Sequence, residues 1–122
     1  MSEHRALIRR GHIVLINLDP AVGSEAAKTR PAVVVSNNTA NRAASLNDRG
    51  VITVVPLTSN VRVVHEFQAL LVASQTGLPR DCKAQAEQVR SVAVTRVSAV
   101  AGWVDGELLG NVDEALRVHL SL

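Results

Sequence analysis

Aromatic residues are nearly absent from this chain. Its 122 residues include Trp103, Phe67 and no Tyr, an aromatic content of 2%. Proteins that hold single-stranded nucleic acid by stacking bases on rings need a platform of several such side chains. That mode of binding is therefore excluded. Lysine is almost as scarce: of 13 basic residues only Lys28 and Lys83 are Lys, and the rest are Arg. Contact with a polyanion then falls to Arg, whose planar fork grips phosphate at two points, and to polar side chains and backbone amides.

Cysteine occurs once, as Cys82. A single thiol closes no internal disulfide and builds no thiolate metal site, which suits a reducing cytoplasm. His4, His12, His65 and His119 are scattered without metal-ligand spacing. HExxH, CxxC, P-loop and GxGxxG patterns are missing, so neither a metal nor another cofactor is expected. No apolar run approaches the ~18 residues of a membrane span. The N-terminal apolar run, residues 13–18, is short and interrupted by Asn17, unlike a signal peptide. The expectation is a cytoplasmic protein with no membrane association.

What remains is a single domain of 13.0 kDa, 47% hydrophobic. A chain of this size buries roughly two-thirds of its unfolded surface, enough for a core. Residues 1–9 read as a flexible basic lead-in and residues 10–122 as the domain. Strands are predicted over 12–18, 31–36, 51–55, 63–71, 81–89 and 90–94, from β-branched runs punctuated by Gly and Pro. The strand at 31–36 is apolar enough to be buried on both faces. Pro56 is expected to end the third strand. Residues 37–50, rich in Asn, read as a loop with a helical turn near 42–46. A short helix capped by Thr95 is predicted over 95–100. A terminal helix follows Asp105, with Leu108, Leu109, Val112, Leu116 and Leu120 at helical spacing. The fold class is mainly β, of the α+β kind: a small twisted barrel or curled sheet covered by the terminal helix.

Charge follows this division. Residues 1–104 carry 12 basic and 7 acidic groups, net +5, whereas 105–122 carry one Arg and four carboxylates, net −3. The overall +2 conceals a basic sheet and an acidic helix.

Two strand ends collect polar groups. In the loop ending Lys28-Thr29-Arg30-Pro31, Pro31 restricts Arg30 to an extended backbone. Such an Arg either pairs with a carboxylate or clamps a phosphate. After the third strand, Thr58, Ser59 and Asn60 form either an ordinary turn cap or a set of phosphate donors.

The wording of five segments goes further. Arg10-Gly-His-Ile-Val-Leu-Ile-Asn-Leu-Asp-Pro20, Gly23-Ser24-Glu25 with Arg30-Pro31-Ala-Val-Val-Val-Ser36, Val54-Val-Pro-Leu-Thr-Ser59, Glu87-Gln-Val-Arg90 and Val112-Asp-Glu-Ala-Leu116 resemble the MazF/PemK family, toxins of type II toxin–antitoxin pairs. The resemblance runs in order from Arg10 to the C-terminus. It implies an SH3-like barrel, a homodimer, and a sequence-specific, metal-independent, ribosome-independent endoribonuclease acting on single-stranded mRNA. The ribose 2′-hydroxyl attacks its own phosphate and leaves a 2′,3′-cyclic phosphate and a 5′-hydroxyl. A cognate MazE-like antitoxin would silence it.

Carried over residue by residue, the resemblance makes Arg30 and Thr58 catalytic, with Glu25 a third catalytic candidate. It places Lys28, Ser59, Asn37, Lys83, Gln88 and Arg90 among the RNA-binding residues. Residues 26–29 lack a Gly found in several relatives, and residues 37–47 and 61–66 match loosely, so base preference is left open. A gyrase-poisoning toxin of the CcdB type shares the barrel, but this chain ends Leu-Ser-Leu122 where those carry Trp-Gly-Ile. A non-catalytic RNA-binding module on the same fold is the third reading.

Overall fold

The computed structural model describes residues 7–20, 22–25 and 28–122. Seven strands, all paired antiparallel, form one curled sheet. They are β1 (His12–Asn17), β2 (Thr29–Val34), β3 (Val51–Thr58), β4 (Gln68–Leu71), β5 (Cys82–Gln85), β6 (Arg90–Ala93) and β7 (Val97–Trp103). The helices are α1 (Asn38–Asn47), α2 (Ala73–Thr76) and α3 (Gly106–Leu120). Strand order is β4-β5-β3-β2-β1-β7, with β6 also on β3. The sheet is barrel-like but not closed. None of its described helices is long and apolar enough to cross a membrane.

The curl comes from β3. Its first part pairs with β6 and β2, and its last residues, Leu57 and Thr58, pair with β5. Pro56 therefore lies inside the strand rather than ending it. It is paired with Ala32 of β2 and falls between the β6 pairing, which ends at Val54, and the β5 pairing, which starts at Leu57, a place where a missing N–H is tolerated.

Two cores explain the apolar runs. On one face Ile13, Val33, Val55, Leu57 and Leu71 pack with Val112 and Ala115 of α3. On the other, Val14, Ile16, Ala32, Val34, Ile52 and Val54 pack with Ile8, Val92 and Val94. Strands buried on both faces need apolar residues at every position, so β2 lacks alternation as expected. The start of the described chain packs against the rest. Ile8 is buried, its N–H donates to Ser45 Oγ at 3.1 Å, and Arg10 pairs with Asp113 of α3. Residues 1–6 lie outside the described residues.

Other differences have local causes. Residues 38–47 form a full helix: Asn37 caps it, accepting from the Ala40 N–H at 2.9 Å. Its buried stripe is Asn41, Ala44 and Ser45, too polar to register as hydrophobic periodicity. Residues 61–67 are not strand. The His65 N–H bonds Gln68 Oε1 and the Gln68 N–H bonds the His65 carbonyl, a local turn that competes with pairing. The stretch after Gln85 turns through a 3₁₀ segment, Ala86–Gln88. The expected helix at 95–100 is a 3₁₀ turn, Val94–Arg96, followed by β7 on β1. Ladder pairing with β1 overrides the Thr95 cap signal, and the β-branched Val97 and Val100 suit a strand. Asp105 sits at the N-cap of α3 without a side-chain cap bond, and half-exposed Leu120 is not core.

His12 shows one consequence of this packing. Its Nδ1 accepts from the Arg9 N–H at 2.9 Å, and its ring meets Trp103 edge-on, centroids 4.8 Å apart. Burial, and secondarily the Arg9 charge, push its pKa below the ordinary 6.5. The native state then binds fewer protons than the unfolded chain. This contribution is fully present above pH 6.5 and is lost as pH falls toward the lowered native value. Wild-type protein is expected to lose more melting temperature than His12→Gln between about pH 7.5 and about pH 5.5. Equal losses would remove His12 as the source.

Candidate active site

β2 and β3 bring the two polar strand ends together. Ala32 pairs with Pro56 and Val33 with Val55. The same register, continued outward, sets Arg30 beside Thr58. Both line a cleft of about 310 Å³ with Lys28, Thr29, Pro31, Leu57, Ser59, Leu78, Pro79, Arg80 and Cys82. Lys28, Arg30 and Arg80 supply cations, and among the described residues no Asp or Glu lines the cleft. A concave wall of one sign concentrates the field on an anion.

Local backbone accounts for the aim of these groups. Lys28 has φ +65°, the left-handed region, which costs a residue with a side chain ~1–2 kcal/mol. Its N–H donates to Asp19 Oδ1 at 2.7 Å and its carbonyl accepts from the Leu18 N–H at 2.9 Å, holding it there. Half-buried Arg30 follows at the start of β2, pinned by Pro31. Thr58 Oγ1 accepts from the Asn60 N–H at 3.3 Å, leaving its own proton to donate. Burial pushes the Cys82 thiol up, against a smaller downward pull from Arg80, so it stays protonated and is a poor nucleophile.

The remaining sequence candidates stand elsewhere. Glu25 is in the β1–β2 loop, where Oε1 accepts from the Val22 N–H at 2.6 Å; it does not line the cleft. Gln88 Nε2 donates to the Ser24 carbonyl at 3.0 Å, and Arg90 Nη1 to the Leu18 carbonyl at 3.4 Å. Asn37 caps α1. Lys83 is buried, its ammonium on the Val63 carbonyl at 2.5 Å, because a buried cation must find an acceptor. Among the described residues no three His, Cys, Asp or Glu side chains group together as a metal site.

Arg80 is the cleft residue that the sequence alone did not single out. A signal for it exists: Arg80 follows Pro79 two residues before β5, a basic residue in a proline turn at a strand entry.

A curled antiparallel sheet with a terminal helix and a cationic cleft at its strand ends defines the class, a small α+β protein. The chain belongs to the family of PemK-like, MazF-like toxins of type II toxin–antitoxin systems, whose sequence model matches residues 9–120. It is 56% identical over 116 residues to Endoribonuclease MazF9 of Mycobacterium tuberculosis H37Rv, spanning 95% of this chain and 98% of that protein. The crystal structure of MazF from Deinococcus radiodurans has the same fold, with TM-score 0.76, 23% identity and coverage of 96% and 99% of the two chains. So does a mycobacterial endoribonuclease solved with its cognate antitoxin, with TM-score 0.74, 20% identity and coverage of 94% and 96%.

Proposed function

We propose that this protein is the toxin of a toxin–antitoxin pair, an endoribonuclease that cuts single-stranded mRNA at short sequences in the cytoplasm, without ribosome or metal. One observation carries the reading: Arg30, Lys28, Arg80 and the Thr58 hydroxyl converge on one cleft free of carboxylate lining among the described residues. The MazF9 relative, named an endoribonuclease, supports it.

The chemistry follows from charge. The 2′-oxygen bonds to the adjacent phosphorus and the bond from phosphorus to the 5′-oxygen breaks. The products are a 2′,3′-cyclic phosphate and a 5′-hydroxyl. Negative charge builds on the non-bridging oxygens in the transition state. Arg30 stabilises it as a fixed cation, and Thr58 donates a hydrogen bond to the same phosphate. Arg30 is not the proton donor, since its guanidinium keeps its proton in water. The 2′-hydroxyl gives its proton to solvent and the 5′-oxygen takes one from solvent; Glu25, which the resemblance makes a candidate base, stands in the β1–β2 loop outside the cleft. Lys28 and Ser59 hold flanking RNA.

The active unit is a homodimer, and an acidic segment of a MazE-like antitoxin silences it by filling the cationic cleft. A structural neighbour solved in complex with its cognate antitoxin supports the existence of an antitoxin partner. A long RNA incubated with the protein in EDTA is expected to yield discrete fragments with 5′-hydroxyl and 2′,3′-cyclic ends, and an acidic antitoxin peptide is expected to block them. RNA that is bound but left whole would replace this reading with a binding module.

A further inference from the structure

The neck of the β1–β2 loop carries an arrangement that the proposed chemistry does not use directly. The loop leaves β1 at Asn17 and re-enters the sheet at Thr29. Three consecutive carbonyls at its exit each accept from a guanidinium. Arg96 Nη1 donates to the Asn17 carbonyl at 3.0 Å and the Asp19 carbonyl at 2.7 Å. Arg90 Nη1 donates to the Leu18 carbonyl between them. The other side of the neck is stitched to the same segment, through the Leu18 N–H on the Lys28 carbonyl and the Lys28 N–H on Asp19 Oδ1. Lys28, held at positive φ, is two residues from Arg30. Neither Arg90 nor Arg96 lines the cleft.

We infer that Arg96, with Arg90, is a positioning residue: a two-arginine clamp on the loop neck that sets where Lys28 and Arg30 enter the cleft. The inference rests on the reading of Arg30 as the group that stabilises the phosphate. A guanidinium suits the task because both hydrogens of one Nη1 reach two carbonyls while the planar group holds their direction fixed, whereas an ammonium sits on a freely rotating stem. The clamp lies on backbone carbonyls, so it constrains the chain path directly. It also gives Arg90 a role different from the RNA contact that the family resemblance implies. Misplacing a catalytic group by about 1 Å costs on the order of 100-fold in rate.

The test measures single-turnover cleavage of a short RNA carrying a mapped cut site. Arg96→Ala is expected to slow cleavage roughly 10–100-fold with little change in RNA affinity. Arg96→Lys should recover part of the rate. In an Arg30→Ala background, Arg96→Ala should cost nothing further, because no guanidinium is left to place. The salt dependence of RNA binding should be unchanged in Arg96→Ala and Arg90→Ala, whereas loss of a phosphate contact lowers the slope by about 0.7. Asp19→Ala loosens the neck from the Lys28 side and is expected to repeat the pattern, which covers the case in which Arg96→Ala does not fold. A wild-type rate in folded Arg96→Ala, an equal loss in both backgrounds, or a reduced salt slope would overturn the clamp. If Arg30→Ala itself cuts normally, the catalytic reading fails instead, a different and separable result.

Discussion

Arg30→Ala is expected to lower the rate of RNA cleavage ~100–1,000-fold, the usual cost of removing one preorganised charge contact from a transition state. The loss should appear mainly in kcat. The phosphate already carries charge in the ground state, but the geometry that brings an equatorial oxygen onto the guanidinium arises as the 2′-oxygen attacks. Arg30→Lys keeps the charge and loses the fork, so an intermediate rate is expected. Thr58→Ala removes one hydrogen bond to a charged oxygen, a contact of ~1.5–3 kcal/mol, and should cost on the order of 10–100-fold. Arg30 stands half-buried at the rim of the sheet, outside both apolar cores, so the variants should keep their circular dichroism and their melting transition. Cleavage by Arg30→Ala at the wild-type rate would move the site elsewhere.

Much of this site is legible in the amino-acid sequence. Arg30 is constrained by the Pro that follows it, and Thr58 ends an apolar run, so both announce strand ends. Linear order does not supply the pairing. Only the register of β2 on β3 joins those ends, and only the pairing of β5 with Leu57 and Thr58 brings Arg80 and Cys82 to the same cleft. The acidic character of α3 is legible too, and one of its carboxylates, Asp113, pairs with Arg10 and ties the start of the domain to the helix.

Where the fold departs from sequence expectation, the deciding force is long-range or polar. Residues 95–100 carry a helix-cap signal in Thr95, but from Val97 onward the valines find a partner edge in β1 and the ladder wins. α1 is hidden because its inward stripe contains Asn41 and Ser45, satisfied by hydrogen bonds instead of apolar contact. The family resemblance implies RNA contacts for Lys83 and Gln88. In the folded chain their side chains are bonded to the carbonyls of Val63 and Ser24. A side chain's partner depends on what the fold places opposite it, which spacing along the chain does not encode.

Gly11→Ala is expected to be the most damaging single-methyl change to stability. Gly11 precedes β1 with φ +96°, a conformation that a side-chain-bearing residue adopts only under strain. Its N–H donates to the Val34 carbonyl at 2.9 Å and its carbonyl accepts from the Val104 N–H at 2.8 Å, so the peptide is held on both sides. A Cβ there would lie 2.4 Å from the Val104 carbonyl oxygen, and Val104 is buried in the core behind α3. Neither partner can give way without breaking a ladder end. Strain of ~1–2 kcal/mol and overpacking of ~1–3 kcal/mol together predict a loss of about 3 kcal/mol. Denaturant unfolding should show a lower midpoint with an unchanged slope. Gly102→Ala provides the contrast. Its Cβ would come even closer, 2.2 Å from the Thr76 carbonyl oxygen, but its φ is not in the positive range, so it carries overpacking without left-handed strain. It should cost less by that strain, ~1–2 kcal/mol. The catalytic rate per folded molecule should survive Gly11→Ala. Gly11 lies beyond the end of β1 remote from Arg30: Arg30 pairs with Ile16, roughly 17 Å from Gly11 along a strand that rises about 3.3 Å per residue. A midpoint within error of wild type would show that the turn before β1 relaxes, and that conformational strain there is not what holds the sheet end together.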